Sequence, residues 1–105
     1  MRLEIADSLS KKALGIMFKK RMDYLLLFPL GYETRFGASI HSFFCPYFDV
    51  MWLDEKKKVV DFRENVRPWT LNITPKMACH YILEAPPRYI RKNRISIGKT
   101  VKITG

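Results

Sequence analysis

The sequence predicts a mainly β (α+β) fold: a small antiparallel sandwich or partly closed barrel with one or two short helices. Three observations predict it. Short apolar runs, several alternating with period two, recur along the chain. Pro, Gly and charged clusters separate them at hairpin-like distances. Only a limited part of the chain carries helical spacing.

Residues 2–6 alternate Leu3 and Ile5 against Arg2 and Glu4, as a half-buried strand does. Asp7 and Ser8 are good N-cap residues. From there Leu9, Ala13, Ile16 and Met17 recur at helical spacing, with Lys11, Lys12 and Lys19 on the other side. Gly15 weakens that helix by about 1 kcal/mol relative to Ala. Residues 24–28 read as a buried strand, followed by an irregular loop punctuated by Pro29, Gly31 and Gly37. Residues 38–44 form a further strand, with Ile40, Ser42 and Phe44 on one face and His41 and Phe43 on the other; Pro46 ends it. Residues 48–53 are apolar on nearly both faces and point to a central strand. The polar turn of residues 54–58 leads to its hairpin partner over residues 59–66. A loop runs from Arg67 to near Pro75. Residues 77–84 alternate, with Met77, Cys79, Tyr81 and Leu83 on one face. Pro86 and Pro87 end that strand and start a short helix reaching Lys92. Val101 and Ile103 close the chain as a final strand. About seven strands with hairpin-like connections make the sheets largely antiparallel.

The chain has 105 residues, of which 48% are apolar and 13% aromatic. That suits a single domain spanning residues 1–105 with an ordinary core. The longest apolar run, residues 24–30, is far short of the roughly 20 residues a membrane span needs. Acidic residues near the N-terminus replace the apolar stretch of a signal peptide, so the expected location is the cytoplasm. Cys45 and Cys79 lack CxxC spacing, which argues against a zinc ribbon or a thioredoxin-type site. Each lies in an apolar stretch and reads as a buried free thiol. Nineteen Lys and Arg against ten Asp and Glu give a net charge of +9. That balance favours polyanions, but the basic residues are dispersed over separate clusters, as on an ordinary solvated surface.

Several stretches resemble one family. "ADSLSKKALGIMF" (residues 6–18) ends in a Gly-Ile-Met-Phe that follows the family's Gly-Leu-Met-Phe, and "YLLLFPL" is similar to its next strand. "SIHSFFCPYFDVMWLDEKKKVV" (residues 39–60) resembles the central signature. "RPWT", "ACHYILEAPP" and "ISIGKTVKI" resemble the closing blocks, in the same order. The chain is thereby identified as similar to the prokaryotic family catalogued as domain of unknown function 192. It departs from the pattern where Lys99 follows Gly98 in place of Asp, and where the Pro46 region is shortened. Export, common in that family, has no matching signal here. The resemblance implies a compact β-rich fold and no particular activity.

Candidate residues carry both a functional and a plainer account. His41 is a candidate general base or metal ligand. The plainer account is a hydrogen-bonded histidine at the core edge, because no second His or Cys stands at ligand spacing; His80 lies on another strand. Asp49, inside an apolar strand, needs a partner or a raised pKa. A hairpin centred near Lys56 places Arg63 opposite Asp49 and Asp61 opposite Met51, so an Asp49–Arg63 ion pair competes with a catalytic carboxylate. Ser42 and Cys45 are near His41 in sequence, but Ser42 points to the other strand face and no Gly-x-Ser-x-Gly elbow is present. Gly98-Lys99-Thr100 lacks the upstream glycine of a phosphate loop. Phe43, Phe44, Tyr47, Trp52 and Trp69 cannot all be buried by alternation. Tyr47 and Trp69 with Arg67 are therefore the candidate ligand-binding residues, through stacking. No metal and no cofactor are expected.

The best-supported reading is a non-catalytic binding or accessory module that holds a ligand or protein partner at an aromatic and arginine loop face. The alternatives are a hydrolytic enzyme centred on His41 and Asp49, and non-specific nucleic-acid binding through the basic surface.

Overall fold

The computed structural model describes residues 2–6 and 15–102. Five strands are hydrogen-bonded into one sheet: β1 (Leu3–Ile5), β2 (Leu25–Thr34), β3 (Phe48–Leu53), β4 (Val59–Val66) and β5 (Cys79–Ala85). Their order is β1-β2-β5-β3-β4, so the late strand β5 inserts between β2 and β3. The β1–β2 pair is parallel; the other three are antiparallel. A short 3-10 turn (Phe36–Ala38) follows β2, and a one-turn helix α1 (Tyr89–Lys92) follows β5. The fold is the expected β-rich one, as a sheet that does not close into a barrel.

The sheet is covered on both sides. Alternation sends Leu26, Phe28, Val50, Trp52 and Ile82 to one face, where the chain around Ile16, Ala38, Cys45 and Ile73 packs on them. It sends Leu25, Leu27, Met51, Leu53 and Leu83 to the other, under Ile90, Ile95 and Val101. Every residue of β3 is buried, as a strand paired on both edges and covered on both faces must be. Trp52 satisfies its buried indole by donating Nε1–H to the Ala38 carbonyl at 3.0 Å, which ties the post-β2 turn to the core.

Several sequence expectations change. The helix expected from residue 8 onward falls mainly outside the described residues; residues 15–18 form a turn. β2 does not stop at Pro29 but runs to Thr34. Leu25 donates to the Arg2 carbonyl and Leu27 accepts from Ala6, so alternate residues of β2 present their backbone toward β1. Pro29 continues that series past the end of β1, where its missing N–H leaves no ladder bond unmade. Residues 38–44 are not a strand: Ile40 makes a single bridge to Ile73, and Phe44 turns the chain with φ 60°. β5 is buried on both faces, with Met77 exposed ahead of it and Cys79 grouped with Ile82 rather than with Tyr81 and Leu83. Near residue 100 only a bridge from Lys58 to Thr100 forms.

The β3–β4 register also differs. Val50 faces Arg63 and Met51 faces Phe62, while Phe48 faces Val66, so β4 carries an extra residue. Asn65 adopts φ 53° in this bulge and donates its N–H to Asp49 Oδ1 at 2.8 Å. Asp49 is thus not opposite Arg63, and Asp61 faces Trp52 instead of Met51.

Candidate functional site

The loop of residues 39–47 is held by one buried hydroxyl. Ser42 Oγ donates to the Arg67 carbonyl and accepts the Thr70 N–H at 2.8 Å. Its backbone closes the same knot: Ser42 N–H donates to Thr70, and its carbonyl receives the N–H groups of Trp69 (3.0 Å) and Cys45 (3.2 Å). Ser42 therefore positions two turns against each other, and its proton is directed to a backbone carbonyl rather than to a base.

What the knot presents is a row of rings. His41 lies 5.2 Å from Phe43, Phe43 lies 5.7 Å from Trp69, Trp69 meets Phe44 edge-on at 4.6 Å, and Phe44 stacks on Phe18 at 5.1 Å. These are ordinary aromatic pair geometries, but they sit on the surface: Phe18 is 68% exposed, Trp69 60% and Phe44 50%. The same three residues have φ of 65°, 65° and 60°. Phe18 and Phe44 are also joined by a 2.7 Å backbone hydrogen bond. The exposed side chain of Arg67 belongs to the same turn as Trp69.

Beside the row a half-open cavity of about 250 Å³ enters the sheet. Its walls are apolar, formed chiefly by Ile16, Met17, Phe28, Leu30, Ile40 and Ile82. Glu84 also lines it, only 4% exposed, paired in the sheet between Leu26 and Val50. Its Oε1 has no hydrogen-bond partner among the described residues. Burial pushes the carboxyl up to about 8, so at neutral pH it carries its proton. Gly15, with φ 50°, closes over this acid: a Cβ there would stand 3.4 Å from Phe28 Cζ and 3.8 Å from Glu84 Oε1.

The model of domain of unknown function 192 (DUF192), described as "Uncharacterized ACR", matches residues 1–103. The chain belongs to the DUF192 family. It is 39% identical over 104 residues to a UPF0127 protein of Thermococcus kodakarensis, covering 98% of this chain and 65% of that one. It is 48% identical over 85 residues to a UPF0127 protein of Pyrococcus horikoshii, covering 80% and 71% of the two chains. The chain thus spans just under two thirds of the Thermococcus relative. A crystal structure of a protein of unknown function from Novosphingobium aromaticivorans superposes with a TM-score of 0.86 at 17% identity, over 98% of this chain and 75% of that one. A Sinorhizobium meliloti structure, whose description proposes a transcription regulator, superposes with a TM-score of 0.82 at 20% identity, over 91% and 76%. At these identities the likeness to both structures is one of fold.

In this DUF192 fold the sequence candidates part company. His41 lines the cavity, with Nδ1 accepting the Phe43 N–H at 3.1 Å. Asp49 lies on the opposite face of the sheet, fully buried, with Oδ1 receiving Asn65 N–H and Oδ2 receiving Ile90 N–H at 2.9 Å. It holds the β4 bulge and the start of α1 in place, and does not converge with His41. Cys45 lines the cavity, but burial and then the nearby Glu84 push its thiol up to about 11. It stays a thiol at neutral pH, a poor nucleophile. Both cysteines are free. Trp69 and Arg67 share the aromatic face. Tyr47 is 47% exposed but makes no ring pair with the row among the described residues. Sequence reasoning missed Glu84, Phe18 and the cavity itself. The available signal for Glu84 was a carboxylate two residues from Ile82 in a strand that had apolar residues on both faces. Among the described residues no group of three or more His, Cys, Asp or Glu is placed to hold a metal ion. No described helix is long and apolar enough to cross a membrane.

Proposed function

We propose that this fold serves as a non-catalytic binding module whose aromatic face, centred on Trp69 with Arg67 in the same turn and Tyr47 three residues beyond Phe44 in the chain, holds a protein partner. One observation carries this: Phe18, Phe44 and Trp69 are all exposed, and all stand on left-handed backbone. That conformation costs a non-glycine residue roughly 1–2 kcal/mol. Lys57, Asn65, Asn72, Arg88 and Arg94 share that conformation, and the Ser42 bonds offset part of its cost. What sets the three apart is that each carries a large exposed ring, and it is these rings together that suit a partner. A run of five rings outreaches a small molecule and suits a partner chain, and buried Trp and Arg are typical anchors of such contacts. His41 and Asp49, on opposite faces of the sheet, offer a hydrolase no joint site.

The test is affinity capture with the wild-type chain and with Trp69→Gly, followed by titration of the purified captured protein. A partner retained by the wild type and bound about 30-fold more weakly by Trp69→Gly supports the reading. Equal capture and equal affinity for both chains refute it.

A second reading is single-stranded nucleic acid stacked along the row. It is supported by exposed Lys19, Lys20 and Arg21 directly after Phe18 and by the net charge of +9. The regulator role proposed for the Sinorhizobium structure points the same way. Titration with oligothymidylate over a range of salt distinguishes it: binding that quenches Trp69 and weakens steeply with salt favours nucleic acid over a protein partner.

A further inference from the structure

We propose that the cavity under Glu84 is a small-molecule site for a neutral, ring-sized apolar compound carrying one carbonyl-type acceptor, which receives a hydrogen bond from the Glu84 carboxyl. This goes beyond the aromatic face: the cavity enters the sheet, whereas the row lies on the surface. Size is the first argument. A dry cavity of about 150 Å³ accepts benzene, and this one holds about 250 Å³. Its outer residues Gly37, Ser39 and His41 are exposed, so it has an entrance.

The second argument is the acid itself. A buried carboxyl with an unpartnered oxygen costs the fold stability. Ser42, Asp49 and the Trp52 indole are all satisfied; besides Glu84 Oε1, the buried side-chain atom without a partner among the described residues is His80 Nδ1, which does not line the cavity. Glu84 stands apart from them in lining the cavity.

Charge selects the ligand class. The titratable groups around Glu84 among the described residues are Tyr24 ahead of β2, Cys45 in the covering loop and His41 at the rim; β3 contributes only apolar side chains to that face. None supplies a fixed cation to hold a carboxylate. The protonated acid is therefore a donor at neutral pH. The net charge of +9 disfavours a cationic ligand at the mouth. A neutral acceptor fits both conditions.

The experiment uses three probes of one shape: acetophenone, its acceptor-free analogue cumene, and the cationic analogue 1-phenylethylamine. Binding is followed by amide chemical-shift changes in the wild type, Glu84→Gln and Glu84→Met. Acetophenone is expected to bind the wild type about fivefold more tightly than cumene, the worth of one ordinary hydrogen bond. The preference persists in Glu84→Gln, whose amide still donates, and vanishes in Glu84→Met. In the wild type it fades between about pH 6 and about pH 10 as the donor proton is lost, and in Glu84→Gln it does not. Equal binding of acetophenone and cumene, tightest binding by the amine, shifts away from Ile16, Ile40, Ile82 and Glu84, or no binding of any probe at solubility overturns the proposal. Trp69→Gly leaves acetophenone binding unchanged, so failure here is separate from failure of the partner-binding face.

Discussion

Glu84→Gln should make the chain more stable at neutral and alkaline pH, and by an amount that grows with pH. The carboxyl titrates at about 8 in the folded chain against an ordinary 4.5. The native state therefore keeps a proton that the unfolded state gives up. For an acid raised in this way, its contribution is most favourable below about pH 4.5, declines as pH rises through the interval, and reaches its floor above about pH 8. Each unit of the interval removes about 1.4 kcal/mol. The wild type accordingly loses about 3 kcal/mol by pH 7 and about 5 kcal/mol by pH 9 relative to a non-ionising side chain of the same shape. Glu84 is 4% exposed, so solvent offers little screening. Urea unfolding followed by tryptophan fluorescence at about pH 5, 7 and 9 measures the difference, with fully buried Trp52 as the reporter. A stability gap between the two chains that stays constant over that range refutes the reasoning, because it means the acid ionises in the folded state as easily as in the unfolded one.

Asp49→Ala strips the acceptor from two backbone N–H groups, Asn65 and Ile90, in a fully buried place; a loss of about 3–5 kcal/mol by urea unfolding is expected, and less for Asp49→Asn, which keeps one oxygen. Trp69→Gly relieves a φ of 65° while giving up its contacts with Phe43 and Phe44; stability should change by no more than about 1 kcal/mol, and a much larger loss would make Trp69 a structural residue. Ser42→Ala removes the hydroxyl joining Arg67 and Thr70; it should cost about 1–3 kcal/mol and raise the solvent quenching of Trp69 fluorescence. Cys45 and Cys79, both raised to about 11 chiefly by burial, should react with a disulfide reagent at about pH 8 far more slowly than a free thiol, and labelling of the native chain at the rate of a free thiol would contradict that.

The parts of the fold legible in the sequence are those where a local pattern has one physical solution. A run as apolar on both faces as Phe48–Leu53, interrupted only by Asp49, points to a doubly covered central strand, and it is one. The Asp54 turn is equally local: Asp54 Oδ1 accepts the N–H groups of Lys56 and Lys58, and β4 follows at once. What was not legible depends on partners distant in sequence. Pro29 reads as a break unless one knows that β1 ends before reaching it. Residues 38–44 alternate well enough for a strand. They fail to become one because the Ser42 hydroxyl claims Arg67 and Thr70, and a ladder cannot form around that knot.

The candidate site shows the same division more sharply. Asp49 and Glu84 are near neighbours across the β3–β5 ladder, since Asp49 pairs with Ala85 and Val50 with Glu84. Sequence singles out Asp49 because Phe48 and Val50 flank it, and it passes over Glu84 because Met77, Cys79, Tyr81 and Leu83 already supply one apolar face and alternation puts Glu84 on the other. A sheet with one core would leave that other face to solvent. Here the second face has a core of its own, so the residue on it is the buried one with an unpartnered oxygen. The conspicuous acid is spent on the backbone, with both oxygens occupied, and retains nothing for chemistry or binding. The inconspicuous one keeps its proton and a free oxygen beside a cavity. A buried polar group whose bonds close within the fold explains structure; one whose bonds stay open points outward, to what the fold was built to hold.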